Sequence, residues 1–179
     1  MTTDSSNTNP TEDFSQCHVE IIKNFQQLKQ LGESDISDPV QPDIQALADK
    51  LVRFYHDVVL IHHQEEEQEL FSVVIDCASP GDELDRAKAM VQRLTKEHRS
   101  LEKQWKKIEA DIKKLAKGKS VSLDKAAIIK MADIYLLHAN YEEDEFLPLS
   151  SEILKDTGMS SLGLTLHMRH DSIKVPTYI

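Results

Sequence analysis

The chain has 179 residues, which suits one domain with a sizeable buried core. Its net charge of −10 argues against a broad surface for nucleic acid or an anionic membrane, either of which needs clustered basic residues. Five Gly and six Pro, about half of the usual ~12 % share, leave few residues to interrupt a helix, so long helices are expected.

Residues 1–11 are polar, with neither a basic n-region nor an apolar h-region, and are expected to form a tail without a secretory signal. A cytoplasmic location is expected on that ground. Helix 1 is expected from about Thr11 or Glu12, with Phe14, His18, Ile21, Phe25 and Leu28 spaced 4,3,4,3 along one face, and is expected to stop at Gly32. After a connection rich in Ser, Asp and Pro, helix 2 runs from about Asp43 to Cys77. Its inward stripe is Leu47, Leu51, Tyr55, Val58, His62, Glu66, Leu70 and Val73. The run Val58-Val-Leu-Ile61 within it is far short of the ~20 apolar residues of a membrane span.

Helix 3, from about Asp82 to Lys117, carries Leu94, His98, Leu101, Trp105, Ile108, Ile112 and Leu115 inward. Helix 4, from about Ser122 to Leu154, carries Ile128, Met131, Ile134, His138, Glu142, Phe146 and Leu149, and Pro148 is expected to kink or shorten its last turns. Residues 12–155 thus read as an all-α, antiparallel up-down four-helix bundle, with residues 156–179 as a short C-terminal extension. Cys17 and Cys77 are too few for a disulfide framework and are expected as buried, reduced thiols.

Two stretches echo one another. His138-Ala-Asn-Tyr-Glu142-Glu143 leads to Phe146-Leu147, and His62-His-Gln-Glu-Glu66-Glu67 leads to Leu70-Phe71. Residues four apart on a helix share a face, so each His and the first Glu after it project together. His18 precedes His62 by 44 residues and His98 precedes His138 by 40, so each half supplies one lone His and one His-x3-Glu pair. Four His on inward stripes would arise by chance about 3 % of the time if three of seven positions face a core.

His18, His62, His98 and His138 with Glu66 and Glu142 make six donors, the number that two six-coordinate irons joined by bridging carboxylates require. Oxygen-derived ligands, an oxo or hydroxo bridge among them, would fill the rest. Imidazole alone suits iron, zinc and copper, while the carboxylate bridge favours iron or manganese. The internal repeat selects His62 and Glu66 over the pair His63 and Glu67, which is expected around the ligands or facing solvent. His56 is expected exposed, and Glu102 is left out because Ile22 holds its place after His18. Glu143 is read as an exposed carboxylate with a weak claim to a role beside the metals. The lysines late in helix 3 read as a solvated face, and His167 and His170 as tail residues.

These residues resemble the hemerythrin-like HHE cation-binding domains, four-helix bundles that hold a non-haem di-iron centre. The resemblance covers about residues 12–155 and rests on Cys17-His18, His62-His63-x2-Glu66-Glu67-x2-Leu70-Phe71, Glu97-His98 with Trp105, and His138-x3-Glu142-Glu143-x2-Phe146-Leu147-Pro148. Leu162-Gly163 through Arg169 also resembles a Leu-Gly-x2-Met-x2-Arg-Arg motif of some bacterial members, with Leu166 for Met and His170 for the second Arg. Oxygen-carrying hemerythrins use five His, with a His-x3-His pair on helix 3 and an Asp on helix 4. Residue 102 is Glu in this chain, and helix 4 offers His138-x3-Glu142, which is more similar to di-iron proteins of nitric oxide response and iron-centre repair.

The resemblance implies a di-iron protein with a role in nitrosative stress, and the reading favoured is a non-catalytic binder of a diatomic ligand, oxygen or nitric oxide, as sensor, carrier or store. The alternative is a di-iron oxidoreductase of nitrosative or oxidative stress, drawing on an electron donor to reduce nitric oxide or peroxide or to repair iron centres. Ferritin-like chemistry ranks last, because none of the four inward His follows a Glu by three residues.

Overall fold

A computed structural model of the protein describes residues 10–155 together with Gly158 and Leu162. Among them four long helical segments and no strand occur. Helix α1 is Pro10–Glu33. Helix α2 covers residues 42–77, opening as Pro42–Phe54 and closing as Phe71–Cys77, with π-helical turns at Tyr55–Val59 and Glu66–Leu70. Helix α3 is Asp82–Ala116. Helix α4 opens as Lys125–Tyr141, passes through a π-helical turn at Glu142–Phe146 and stays helical over residues 147–155. Consecutive helices are neighbours and α1 also lies against α4, which closes the four into an all-α bundle. No described helix is long and apolar enough to cross a membrane.

Local chemistry sets the helix ends. Pro42 opens α2, where a missing N–H costs nothing. Asp82, Glu83 and Asp85 occupy the first turn of α3 and Lys113 and Lys114 its last, each complementing the helix dipole. Gly118 ends that helix at φ 69, a left-handed conformation that favours glycine. Helix α4 starts at Lys125 rather than about Ser122, because Asp124 caps it by accepting a hydrogen bond from the Ala127 N–H at 3.0 Å.

Several expectations change. Helix α1 continues through Gly32 to Glu33, and that glycine serves packing instead: a Cβ there would stand 2.9 Å from Cγ2 of Ile128 on α4. In α2 the buried positions are Val59 and Val74, not Val58 and Val73. The π turns explain the shift, since each inserts a residue into the helical repeat and advances the inward stripe by one. On α4, Tyr135 takes the inner place expected of Ile134 and stacks on Phe25 at 3.8 Å. Pro148 is exposed and does not end the helix; the upstream π turn already loosens the hydrogen-bond ladder that its ring would disturb. Cys77 is exposed and Cys17 half-buried, both as free thiols. The motif around Leu162 to Arg169, His167 and His170 lies outside the described residues, apart from a buried Leu162.

The interior has two apolar clusters. One gathers Ile21, Phe25, Leu28, Leu101, Ile112 and Met131, with Trp105 stacked on Tyr55 at 4.1 Å. The other gathers Phe14, Leu70, Phe71, Leu94, Phe146 and Leu147. Along every helix the buried residues with imidazole or carboxylate groups fall between them. For example, His98 sits between Leu94 of one cluster and Leu101 of the other.

Gly32→Ala tests the close approach of α1 and α4. Helix propensity alone favours alanine by roughly 0.8–1 kcal/mol, but the methyl must displace the branched Ile128 side chain. A net loss of about 1–3 kcal/mol, read as a lower melting temperature, is the expected outcome.

Candidate metal centre

His18, His62, His98, His138, Glu66 and Glu142 all lie in this one layer, each at most 3 % exposed. α1 supplies His18, α2 supplies His62 and Glu66 from successive turns, α3 supplies His98, and α4 supplies His138 and Glu142. Both glutamates stand at the first residue of a π turn, at corresponding places in the two repeats. The π turns leave the His-x3-Glu spacing intact and rephase the residues downstream, so that in α2 Val74 rather than Val73 is buried in the apolar cluster below.

The glutamates divide their oxygens between two His groups. Glu66 Oε1 is 3.2 Å from His62 Nε2 and 3.6 Å from His18 Nε2, while its Oε2 is 3.4 Å from His98 Nε2. Glu142 Oε2 is 3.2 Å from His18 Nε2, while its Oε1 is 3.3 Å from His138 Nε2 and 3.6 Å from His98 Nε2. Neither carboxylate has a hydrogen-bond partner at either oxygen, and the Nε2 atoms of His98 and His138 have none either. So many buried, unpaired polar atoms are costly unless something charged joins them.

A metal ion meets that need. Donors at about 2.1 Å from one ion lie roughly 3 Å apart when they subtend a right angle, close to the separations above. His18, His62, Glu66 and Glu142 offer ligand atoms all within 4.8 Å of one another, a set that could hold a metal, and His98 and His138 form part of a second set with His63. Nitrogen and carboxylate oxygen are a donor mixture that first-row transition metals accept.

His63 departs from one of its two expectations. It does not face solvent: it is buried, stacked on His98 with centroids 3.9 Å apart and planes 7° apart, and its Nε2 lies 3.0 Å from the Tyr135 hydroxyl. Lone pairs of imidazole lie in the ring plane, and parallel planes do not meet, so in this arrangement His63 and His98 cannot both ligate one ion. His63 supports the His98 ring instead. His56 is exposed as expected and pairs with Glu109.

A ring of carboxylates orients the imidazoles from outside. His98 Nδ1 donates to Glu67 at 2.8 Å, His138 Nδ1 to Glu97 at 2.9 Å and His18 Nδ1 to Glu143 at 2.5 Å. Each bond crosses to the neighbouring helix, and each carboxylate has its own anchor: Arg99 for Glu67, Arg93 for Glu97 at 2.7 Å, and Ser15 for Glu143 at 2.8 Å. Hydrogen bonds to His138 and His18 hold the Glu97 and Glu143 carboxyls below their usual range. Fixing Nδ1–H in this way leaves Nε2 as the free donor aimed inward. Sequence reasoning gave Glu97 no role beyond its place in the Glu97-His98 motif and favoured an exposed carboxylate over a role beside the metals for Glu143, although each follows or precedes a ligand-type residue directly. Cys17 holds in α1 the place of Glu97 in α3, and burial pushes its thiol up to about 12, so it stays protonated.

Protons take the place of cations when no metal is bound. Burial opposes charge on His18 and His98, but the surrounding carboxylates outweigh it and raise them to about 12 and about 10. Burial lowers His62 to about 4, so the 2.8 Å contact between the two Nε2 atoms is a protonated His18 donating to a neutral His62. Glu66 is held well below the carboxylate range and Glu142 at about 2, against the effect of burial, by the facing imidazoles.

Glu97→Ala should weaken metal binding by about 10–100-fold, the usual effect of losing a carboxylate behind a ligating His, as read by competition with a chelator. Metal binding at pH 7 must also expel the protons of His18 and His98. Both groups titrate above 7 in the metal-free protein, so affinity should rise with pH toward about 10 and fall toward acid. A release of about two protons per chain, measured calorimetrically in buffers of different ionisation enthalpy, is expected.

A search of the curated proteins finds no match. A family model of the hemerythrin HHE cation binding domain matches residues 9–150, which takes in α1 to α3, most of α4 and all six of the inward ligand-type residues. The chain therefore belongs to the hemerythrin HHE cation-binding family.

Proposed function

We propose that the protein holds two iron ions and binds a diatomic ligand, oxygen or nitric oxide, as a sensor, carrier or store in the cytoplasm. His18 and His62 would hold one iron, His98 and His138 the other, and Glu66 and Glu142 would bridge them. The observation that carries this reading is the division of each buried, unpartnered carboxylate between the two His pairs. A single ion would leave one pair of imidazoles and half of each carboxylate unsatisfied. Iron is favoured over zinc by two bridging carboxylates, which suit the harder ion.

Iron in such a site would supply a redox-active Lewis acid able to bind a small ligand. The chain itself does the rest. Glu67, Glu97 and Glu143 fix the tautomers, Phe14 and Phe71 lie against the His62 and His98 rings, and the two apolar clusters keep bulk water from the layer. The Tyr135 hydroxyl beside the ligands is engaged with His63 Nε2, and burial holds it far above its ordinary range, so it is a poor proton donor. That arrangement favours reversible binding over reduction.

Anaerobic loading with ferrous iron tests the centre directly, and two irons per chain with near-ultraviolet charge-transfer bands after oxidation are expected. Retention of fewer than about one iron per chain would remove the two-metal reading, since the bridging carboxylates call for a pair. Nitric oxide added to the reduced protein should then be taken up stoichiometrically without forming nitrous oxide. Its catalytic formation would transfer the protein to the oxidoreductase reading.

A further inference from the structure

The six ligand-type residues are sealed, yet a metal must reach them. The clusters above and below are apolar, and the 10 Å³ cavity among Phe25, Leu28, Tyr55 and Trp105 offers no charged group. A cavity around Lys107, Asp111 and Asp124 touches no ligand-type residue. A third cavity, of 120 Å³, is different: it lies between α2 and α3 and is lined by Leu60, His63, Gln64, Glu67, Gln68, Arg99 and Glu102.

Its outer part carries charge. Arg99 bridges the mouth, paired with Glu67 and with Glu102 Oε1 at 2.6 Å, while its own side chain is 57 % exposed. Its inner wall is His63, buried and stacked face to face on His98. The Nδ1 atom of His63 has no hydrogen-bond partner and stands 3.7 Å from Glu102 Oε1, too far for a hydrogen bond. Two carboxylates, two amide side chains and one buried, unpaired imidazole nitrogen thus line a polar passage that ends on a ring in contact with the proposed iron ligands.

We propose that this cavity is the loading route of the centre, a transit site that takes a hydrated divalent cation at Glu67 and Glu102 and hands it through His63 to the His98 side. The inference rests on the two-metal reading above and adds how the ions arrive. Arg99 acts as a resident cation. It satisfies both carboxylates until a divalent ion replaces it, and surface ion pairs of this kind are weak enough to exchange readily. Carboxylate oxygens draw the hydrated ion, amide oxygens replace part of its water, and the imidazole nitrogen holds it next to the stronger final donors. Glu102 is ion-paired with none of the six ligand-type residues.

Stopped-flow mixing of the metal-free protein with cobalt(II), followed by its visible absorption, tests the route. Glu102→Gln should slow uptake about tenfold, the lower end of the effect of electrostatic steering, and Arg99→Ala should speed it, while both variants still reach two cobalt ions per chain. Glu145→Gln removes the same charge from an exposed site on α4 and should leave the rate unchanged. Unaltered rates in the Glu102 and Arg99 variants, or equal slowing by Glu145→Gln, would overturn the route while a final count of two leaves the two-metal reading intact. A protein that takes up no cobalt in any form removes both.

Discussion

Two buried carboxylates without hydrogen bonds dominate the interior. Glu66 and Glu142 sit where a helical bundle would ordinarily place leucine, and removing such charges from water costs several kcal/mol each unless they are compensated. The fold cannot relieve them by moving, because apolar clusters fill the bundle on both sides and hold the helices apart by side-chain volume. The layer is therefore built around a positive charge to come. Two protonated imidazoles balance it in the metal-free protein, and the His and Glu donors that converge there could hold a metal in their place.

The helices are shaped to this demand. An uninterrupted α-helix would carry His62, Glu66 and Leu70 inward and then drift, leaving Val74 off the core face. The π turns at Glu66 and Glu142 correct the drift by one residue each, so that the polar layer and the apolar cluster beneath it both face the bundle axis. Local hydrogen-bond geometry is sacrificed for the phase of the side chains. That both π turns begin at the glutamates, in two halves of the chain with different surrounding residues, ties the distortion to the site rather than to either sequence alone.

Around the layer, support passes from helix to helix. Glu67 of α2 orients His98 of α3, Glu97 of α3 orients His138 of α4, and Glu143 of α4 orients His18 of α1. Three of the four inward imidazoles are thus held by neighbours rather than by their own helices, and the donor set is pre-organised only when all four helices are assembled. Folding and metal affinity are coupled through these bonds. His63 extends the same logic to ring stacking, where its face steadies His98 and its edge reaches both Tyr135 and the surface cavity.

By itself the sequence determined the all-α architecture and the identity of the inward His and Glu, because both follow from periodicity. Apolar residues at 3.6-residue spacing mark a face, and His18, His62, Glu66, His98, His138 and Glu142 interrupt such faces in two matching halves. What it could not determine depends on distances between helices. Periodicity assigns Glu97 and Glu143 to the flank of a helix but cannot say that the flank meets an imidazole next door. It places His63 a step away from the core stripe, yet a π turn upstream rotates the helix enough to bury it. The division of each carboxylate between two His pairs belongs to the tertiary structure alone, since four helices, far apart along the chain, must converge before an oxygen has two sides to face.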